Sequence, residues 1–220
     1  MTLRGLLRDL ANYEFDFERS RVRYLKRDSP PCLAFRVIKE EIANKATHEI
    51  ATAYTYLNKL YESAVLTKLA LDTDCIEVFD TLRELYLACV NILRKHLSSV
   101  DFRDEKLNSL VDEILNDYEF NFRNVSNIFN PVCNLHFELR LVIRDSLETP
   151  ALLSLFDYLC YIQVIVLAYK RVLPLEIDDD EETNADAIEA FIAKLRVDYY
   201  ELAERIRDIA AVLAEEVSEL

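Results

Sequence analysis

Two stretches of this chain hold residues whose types and spacing could do chemistry. The first is Cys133-x-x-His136, a thiol and an imidazole three residues apart just after a proline break. It is half of a zinc knuckle with no second half, so a structural role is expected for both residues. The second is EIDDDEETNADAIE, in which Asp178, Asp180, Glu182, Asn184, Asp186 and Glu189 fall on positions 1, 3, 5, 7, 9 and 12 of an EF-hand count. The sixth position, where the sharp turn requires glycine, is Thr183, and the eighth, usually β-branched and apolar, is Ala185. Asp186 and Glu189 already serve as a helix-capping pair, so the run is read as a solvated acidic loop and not as a calcium site.

The remaining chemistry is thin. His48 and His96 belong to no HExxH or ExxH pair, and there is no GxSxG elbow. The single glycine, Gly5, excludes a glycine-rich phosphate loop. Helix carboxylates at Glu40, Glu41, Glu49, Glu62, Asp80 and Glu84 could converge on a metal inside a bundle, but facing water or pairing with arginine is their expected role. No catalytic, cofactor-binding or metal-binding residue is therefore assigned, and no cofactor is expected.

The elements that would position these residues are helices. One glycine and five prolines in 220 residues leave little material for the tight turns of a sandwich, barrel or doubly wound sheet. The net charge of −14 disfavours nucleic acid, which requires a basic face. The one basic run, Arg19, Arg21, Arg23, Lys26 and Arg27, is spread around a helix and interleaved with Glu18 and Asp28, as on a solvated face. Cys32, Cys75, Cys89, Cys133 and Cys160 form no CxxC pair and read as buried free thiols. Leu152 to Val172 is long enough to span a bilayer, but it carries Asp157 and Gln163 and reads better as the buried helix of a soluble bundle. The charged N-terminal stretch lacks the apolar core of a secretory signal, so a cytoplasmic location is expected.

The chain also repeats itself. NYEFDFER begins at Asn12 and DYEFNFRN at Asp117, and the flanking apolar residues fall at Leu6, Leu10, Tyr13, Phe17 and Tyr24 and again at Val111, Leu115, Tyr118, Phe122, Val125 and Phe129. Despite the local alternation, this spacing predicts a helix through both motifs. Proline breaks follow at Ser29 to Cys32 and Asn130 to Cys133, and the apolar pattern of Ile42 to Ala64 matches Leu147 to Tyr169 at the same displacement of 105, without a gap. Thr149-Pro150 predicts a kink in this second helix. Third helices are predicted over Thr73 to Leu97 and Asn184 to Val217, each opened by Asp-x-x-Glu at Asp74 and Asp186. The expectation is an all-α helical bundle of two tandem three-helix repeats, about six helices, spanning 1–100 and 101–220 and packed as one domain.

A duplicated three-helix architecture with Pro30, Arg36 and then Glu49 on a long helix resembles the PhoU-type phosphate-signalling regulators over this short stretch. The resemblance implies carboxylate metal clusters on such helices, yet Ala34 and Ala53 stand where that motif places aspartates and the second repeat lacks it. The function expected is that of a non-catalytic interaction or regulatory protein, binding another protein or itself as a homodimer, with no nucleic acid and no membrane as partner. The alternative is a metal-binding PhoU-like regulator or a carboxylate-metal enzyme in a helical bundle. The long amphipathic C-terminal helix, apolar at Ile188, Ile192, Leu195, Tyr199, Leu202, Ile206, Ile209, Leu213 and Val217, is the expected contact element, its far end leaving a stripe in need of a partner.

Overall fold

A chain this poor in glycine builds helices, and the computed structural model, which describes residues 2–23, 26–73, 75–123, 130–178 and 182–217, is all-α. Among the described residues there are nine α-helices and no strand: α1 (Leu3–Ala11), α2 (Phe17–Arg23), α3 (Pro30–Lys45), α4 (His48–Leu71), α5 (Ile76–Leu97), α6 (Glu105–Asn116), α7 (Pro131–Ser146), α8 (Ala151–Asp178) and α9 (Glu182–Glu216). Nine replace the expected six because stop and start signals divide the long helices.

The first division falls in NYEFDFER itself, which is not helical throughout as expected: Tyr13 to Asp16 is non-helical. Asn12 ends α1, its side-chain Nδ2 donating to the Arg8 carbonyl at 2.8 Å. Asp16 starts α2 by accepting from the Arg19 N–H at 3.1 Å, as an N-cap does. Between them the chain alternates, so Phe15 and Phe17 are buried while Glu14 is exposed. The helical period therefore does not carry through the motif, and the local alternation shows in which side chains are buried. The second motif behaves alike: Asp117 caps α6 and Tyr118 to Asn121 is non-helical.

Other expectations are also corrected. Pro150 does not kink one helix. It belongs to a break, residues 147–150, between α7 and α8, because a proline N1-type start leaves no N–H to continue the preceding helix. α9 starts at Glu182, four residues before Asp186, so Asp186 and Glu189 lie within the helix and do not cap it. Asp74 lies outside the described residues; α5 is preceded by Cys75, which makes no side-chain capping bond. α3 and α7 are both 16 residues long and begin at Pro30 and Pro131, a displacement of 101, so the gap-free shift of 105 does not hold along the whole chain.

Two compact units result, the first drawing on both ends of the chain and the second on its continuous middle. The first comprises Met1–Glu41 and Leu147–Leu220, the second Ile42–Ser146. The expected division near Ser98 to Asp101 lies inside the second. In the first unit α8 lies against α9, α1 packs on α9, and α2 touches both α8 and α9. Leu6, Leu7 and Leu10 of α1 and the whole α9 seam from Ile188 to Val217, apart from a partly covered Ile209, are buried in that unit. The seam expected to need a partner is thus already covered by this chain. Arg4 Nε donates to the Ala214 carbonyl at 2.9 Å, satisfying one of the carbonyls that a helix C-terminus leaves unpaired. In the second unit α4 pairs with α5, and α7 packs against both α4 and α6.

Three ring pairings in the first unit have likenesses in the second. Tyr13 meets Phe15 edge-on at 4.9 Å in the first, and Tyr118 meets Phe120 edge-on at 4.9 Å in the second. Phe17 meets Tyr199 at 5.4 Å, and Phe122 meets Tyr86 at 6.2 Å. Phe35 stacks on Phe156 at 5.0 Å and 12°, and His136 on Tyr54 at 4.9 Å and 15°.

A charged contact fastens the first motif: Glu18 accepts from Tyr169 OH at 2.9 Å and from Arg196 Nη2 at 2.7 Å. Both charged side chains are about half exposed, so solvent screens them, and Arg196→Ala should cost under about 1 kcal/mol in urea titration. A larger loss would mean that the Arg196 guanidinium, whose Cζ lies 5.6 Å from the Phe17 ring centroid, contributes through that ring as well.

Candidate functional site

α4 and α7 present complementary faces in the second unit. α7 starts where Asn130 Oδ1 accepts from the Cys133 N–H at 2.7 Å and Pro131 occupies the first helical position. α4 starts where Thr47 Oγ1 accepts from the Ile50 N–H at 3.2 Å. From these starts, helical spacing aligns Val132, Cys133, His136 and Arg140 on α7 with Tyr54, Leu57, Asn58 and Tyr61 on α4.

A cavity of about 140 Å³ opens between them, lined by Leu57, Tyr61, Val132, Cys133 and His136. The His136 ring stacks on Tyr54, and its Nε2 lies 2.7 Å from Asn58 Oδ1. In the tautomer protonated at Nε2 it donates there and leaves Nδ1 with a lone pair. Arg140 Nη1 donates to Tyr54 OH at 2.7 Å, completing a chain of four polar side chains, with Asn58 itself buried.

Burial, and then the nearby Arg140 cation, lower the His136 pKa to about 4. Burial raises the Cys133 thiol, a trend opposed by its hydrogen bond with Asn130 and by Lys68. Cys133, His136 and Asn58 are the residue types of a Cys-His-Asn hydrolase, whose work requires a thiolate beside an imidazolium. Here both groups shift toward their neutral forms. The cavity suits an uncharged, mainly apolar occupant.

The structure thus brings together the Cys133 and His136 singled out by spacing, and adds Tyr54, Asn58 and Arg140, which sequence reasoning missed. The available signal was Asn58, a polar residue lying on the apolar stripe of Tyr54, Leu57 and Tyr61. The acidic run is not an EF-hand loop, since α8 continues to Asp178 and α9 begins at Glu182; residues 179–181 lie outside the described residues. Glu40, Glu49, Asp80 and Glu84 are exposed, and Glu41 and Glu62 half-buried. Among the described residues no three His, Cys, Asp or Glu side chains gather as a metal would require. His48 is exposed, and His96 Nε2 lies 3.4 Å from the Glu49 carbonyl. The apolar stretch Ala151–Leu175 is long enough to cross a membrane, but 67% of its most apolar window is buried, as in a core helix.

Fold and site define the class: an all-α protein with an apolar recess walled by a neutral histidine and a protonated thiol. A scan against family models, a search of curated proteins and a search of solved structures each found no match.

Proposed function

We propose that this is a non-catalytic helical interaction or regulatory protein of the cytoplasm that works by self-association, with neither nucleic acid nor membrane as its partner. We further propose that the chain consists of two tandem copies of one helical unit, a reading supported by the three recurring ring pairings and the equal lengths of α3 and α7.

One observation carries the association. Phe137 is 57% exposed and follows Cys133 by one turn of α7, beside the Leu57–Tyr61–Val132–Cys133–His136 recess. A projecting ring next to an apolar hollow is self-complementary: in a two-fold dimer each Phe137 enters the other copy's recess. The recess is close in volume to the ~150 Å³ cavities that hold one benzene. Aromatic anchors seated in such pockets carry about 2 kcal/mol or more, roughly 30-fold in affinity.

Sedimentation equilibrium should show a dimer for the wild type and a monomer of unchanged helicity for Phe137→Glu. A wild type that stays monomeric at every concentration refutes the dimer, and an unaffected Phe137→Glu dimer refutes this contact.

A further inference from the structure

Both compact units are closed across the middle of the chain. The first takes α1, α2 and most of α3 from the N-terminal half and α8 and α9 from the C-terminal half; the second takes α4 and α5 from one and α6 and α7 from the other. In each unit several ring contacts between helices join one half to the other, while Tyr56–His96 joins α4 and α5 within the N-terminal half. Phe17 reaches Tyr169 and Tyr199, and Phe35 reaches Phe156, in the first unit. Phe122 reaches Phe79 and Tyr86, and His136 reaches Tyr54, in the second. The buried partners are core residues: Phe17, Phe156, Tyr54, Tyr86 and Tyr199 are all fully enclosed.

The halves are joined covalently only through the link between α5 and α6, from the C-cap Ser98 to the N-cap Asp104. That link holds Arg103 at φ 54, a left-handed conformation that costs a non-glycine residue of order 1 kcal/mol. It is pinned by Asp101 Oδ1, which accepts from the Arg103 N–H at 2.8 Å and from Asn108 Nδ2 at 2.9 Å. A short, strained hinge between two mutually complementary segments is the arrangement from which copies exchange elements.

We propose that the two halves are complete binding partners for one another, so that the N-terminal half of one copy pairs with the C-terminal half of a second copy of this chain, Ser98–Asp104 serving as hinge. In the monomer the link only raises the effective concentration of one half for the other. The binding free energy resides in the buried aromatic and aliphatic surface between the halves, which a second copy supplies equally well.

The test starts from the full chain with a protease recognition site inserted between Ser99 and Val100 and cut after folding. The two fragments should elute together at the same mass as the uncut protein under the same conditions, with helicity kept. Two such cut proteins bearing different tags, mixed in denaturant and diluted, should yield the hybrid pair in about statistical proportion, as identical interfaces require. Fragments that separate after cutting, or a mixture without hybrids, overturn the proposal; if refolding fails, the cut native protein decides alone. The Phe137 contact is read separately, by repeating the cut in Phe137→Glu: that substitution changes the mass of the assembly and not whether the cut fragments stay paired.

Discussion

Replacing Phe17 with alanine should destabilise the protein by about 4 kcal/mol, the range for truncating a buried phenylalanine being roughly 3–5. The ring is 0% exposed, stacks on Tyr169 at 4.2 Å and meets Tyr199 edge-on at 5.4 Å. Its removal leaves a cavity that the neighbouring helix backbones cannot easily fill, and forfeits aromatic pairing worth about 0.5–1.5 kcal/mol beyond area burial. Phe122, its counterpart, is only half-buried and makes longer ring contacts, 5.6 Å to Phe79 and 6.2 Å to Tyr86. Phe122→Ala should therefore cost about half as much. Urea unfolding of the two variants measures both, and equal losses would show that the two motifs hold their units equally despite the difference in burial.

Acidification should remove about 3 kcal/mol of stability through His136, since each pKa unit is worth about 1.4 kcal/mol. Its folded pKa of about 4 lies below the ordinary 6.5, so the fold favours the neutral imidazole. That preference contributes fully above about pH 6.5 and disappears as the pH falls toward 4, where the ring must charge beside Arg140. Cys133, on the same helix face, stays protonated throughout this window, as an ordinary thiol does, and burial pushes its pKa further up. Other groups titrate as well: Glu49 and Asp101, both lowered by hydrogen bonds, add to acid sensitivity, whereas Asp198, raised by burial, opposes it. The measurement is therefore the difference between wild type and His136→Phe, the residue that Phe35 presents in the first unit's stacked pair. The variant's unfolding free energy should fall less steeply between pH 6.5 and 4, and parallel curves would refute the assignment.

How much of this could be read beforehand depends on the range of the forces involved. Thr47 and Asp104 start helices as capping side chains do, and the scarcity of glycine excludes sheet corners, because both effects act within a few residues. The motif at Asn12 shows where such reading fails. Its helical period is present in sequence, but Asn12 and Asp16 stop and restart the helix, and Phe15 and Phe17 then pack on Tyr199, Phe17 also on Tyr169, with a non-helical segment between the two helices. The α9 seam fails for a related reason: a long apolar stripe demands a cover, and only the fold reveals that α1 and α8 of the same chain supply it.

The same contrast runs through the site. The i, i+3 spacing of Cys133 and His136 determines that they share a helix face, whatever the rest of the chain does. Their charge states depend on neighbours far away in sequence: α4 brings Tyr54 and Asn58 against His136 and encloses the ring. Desolvation scales with that enclosure and not with local sequence. Composition, caps and spacing by themselves determined an acidic, all-helical chain with a recurring aromatic motif. Tertiary structure alone decided which helices cover which, that each unit is closed by segments from both halves, and that the Cys–His pair lines a neutral recess, because these follow from contacts between residues that no short-range rule connects.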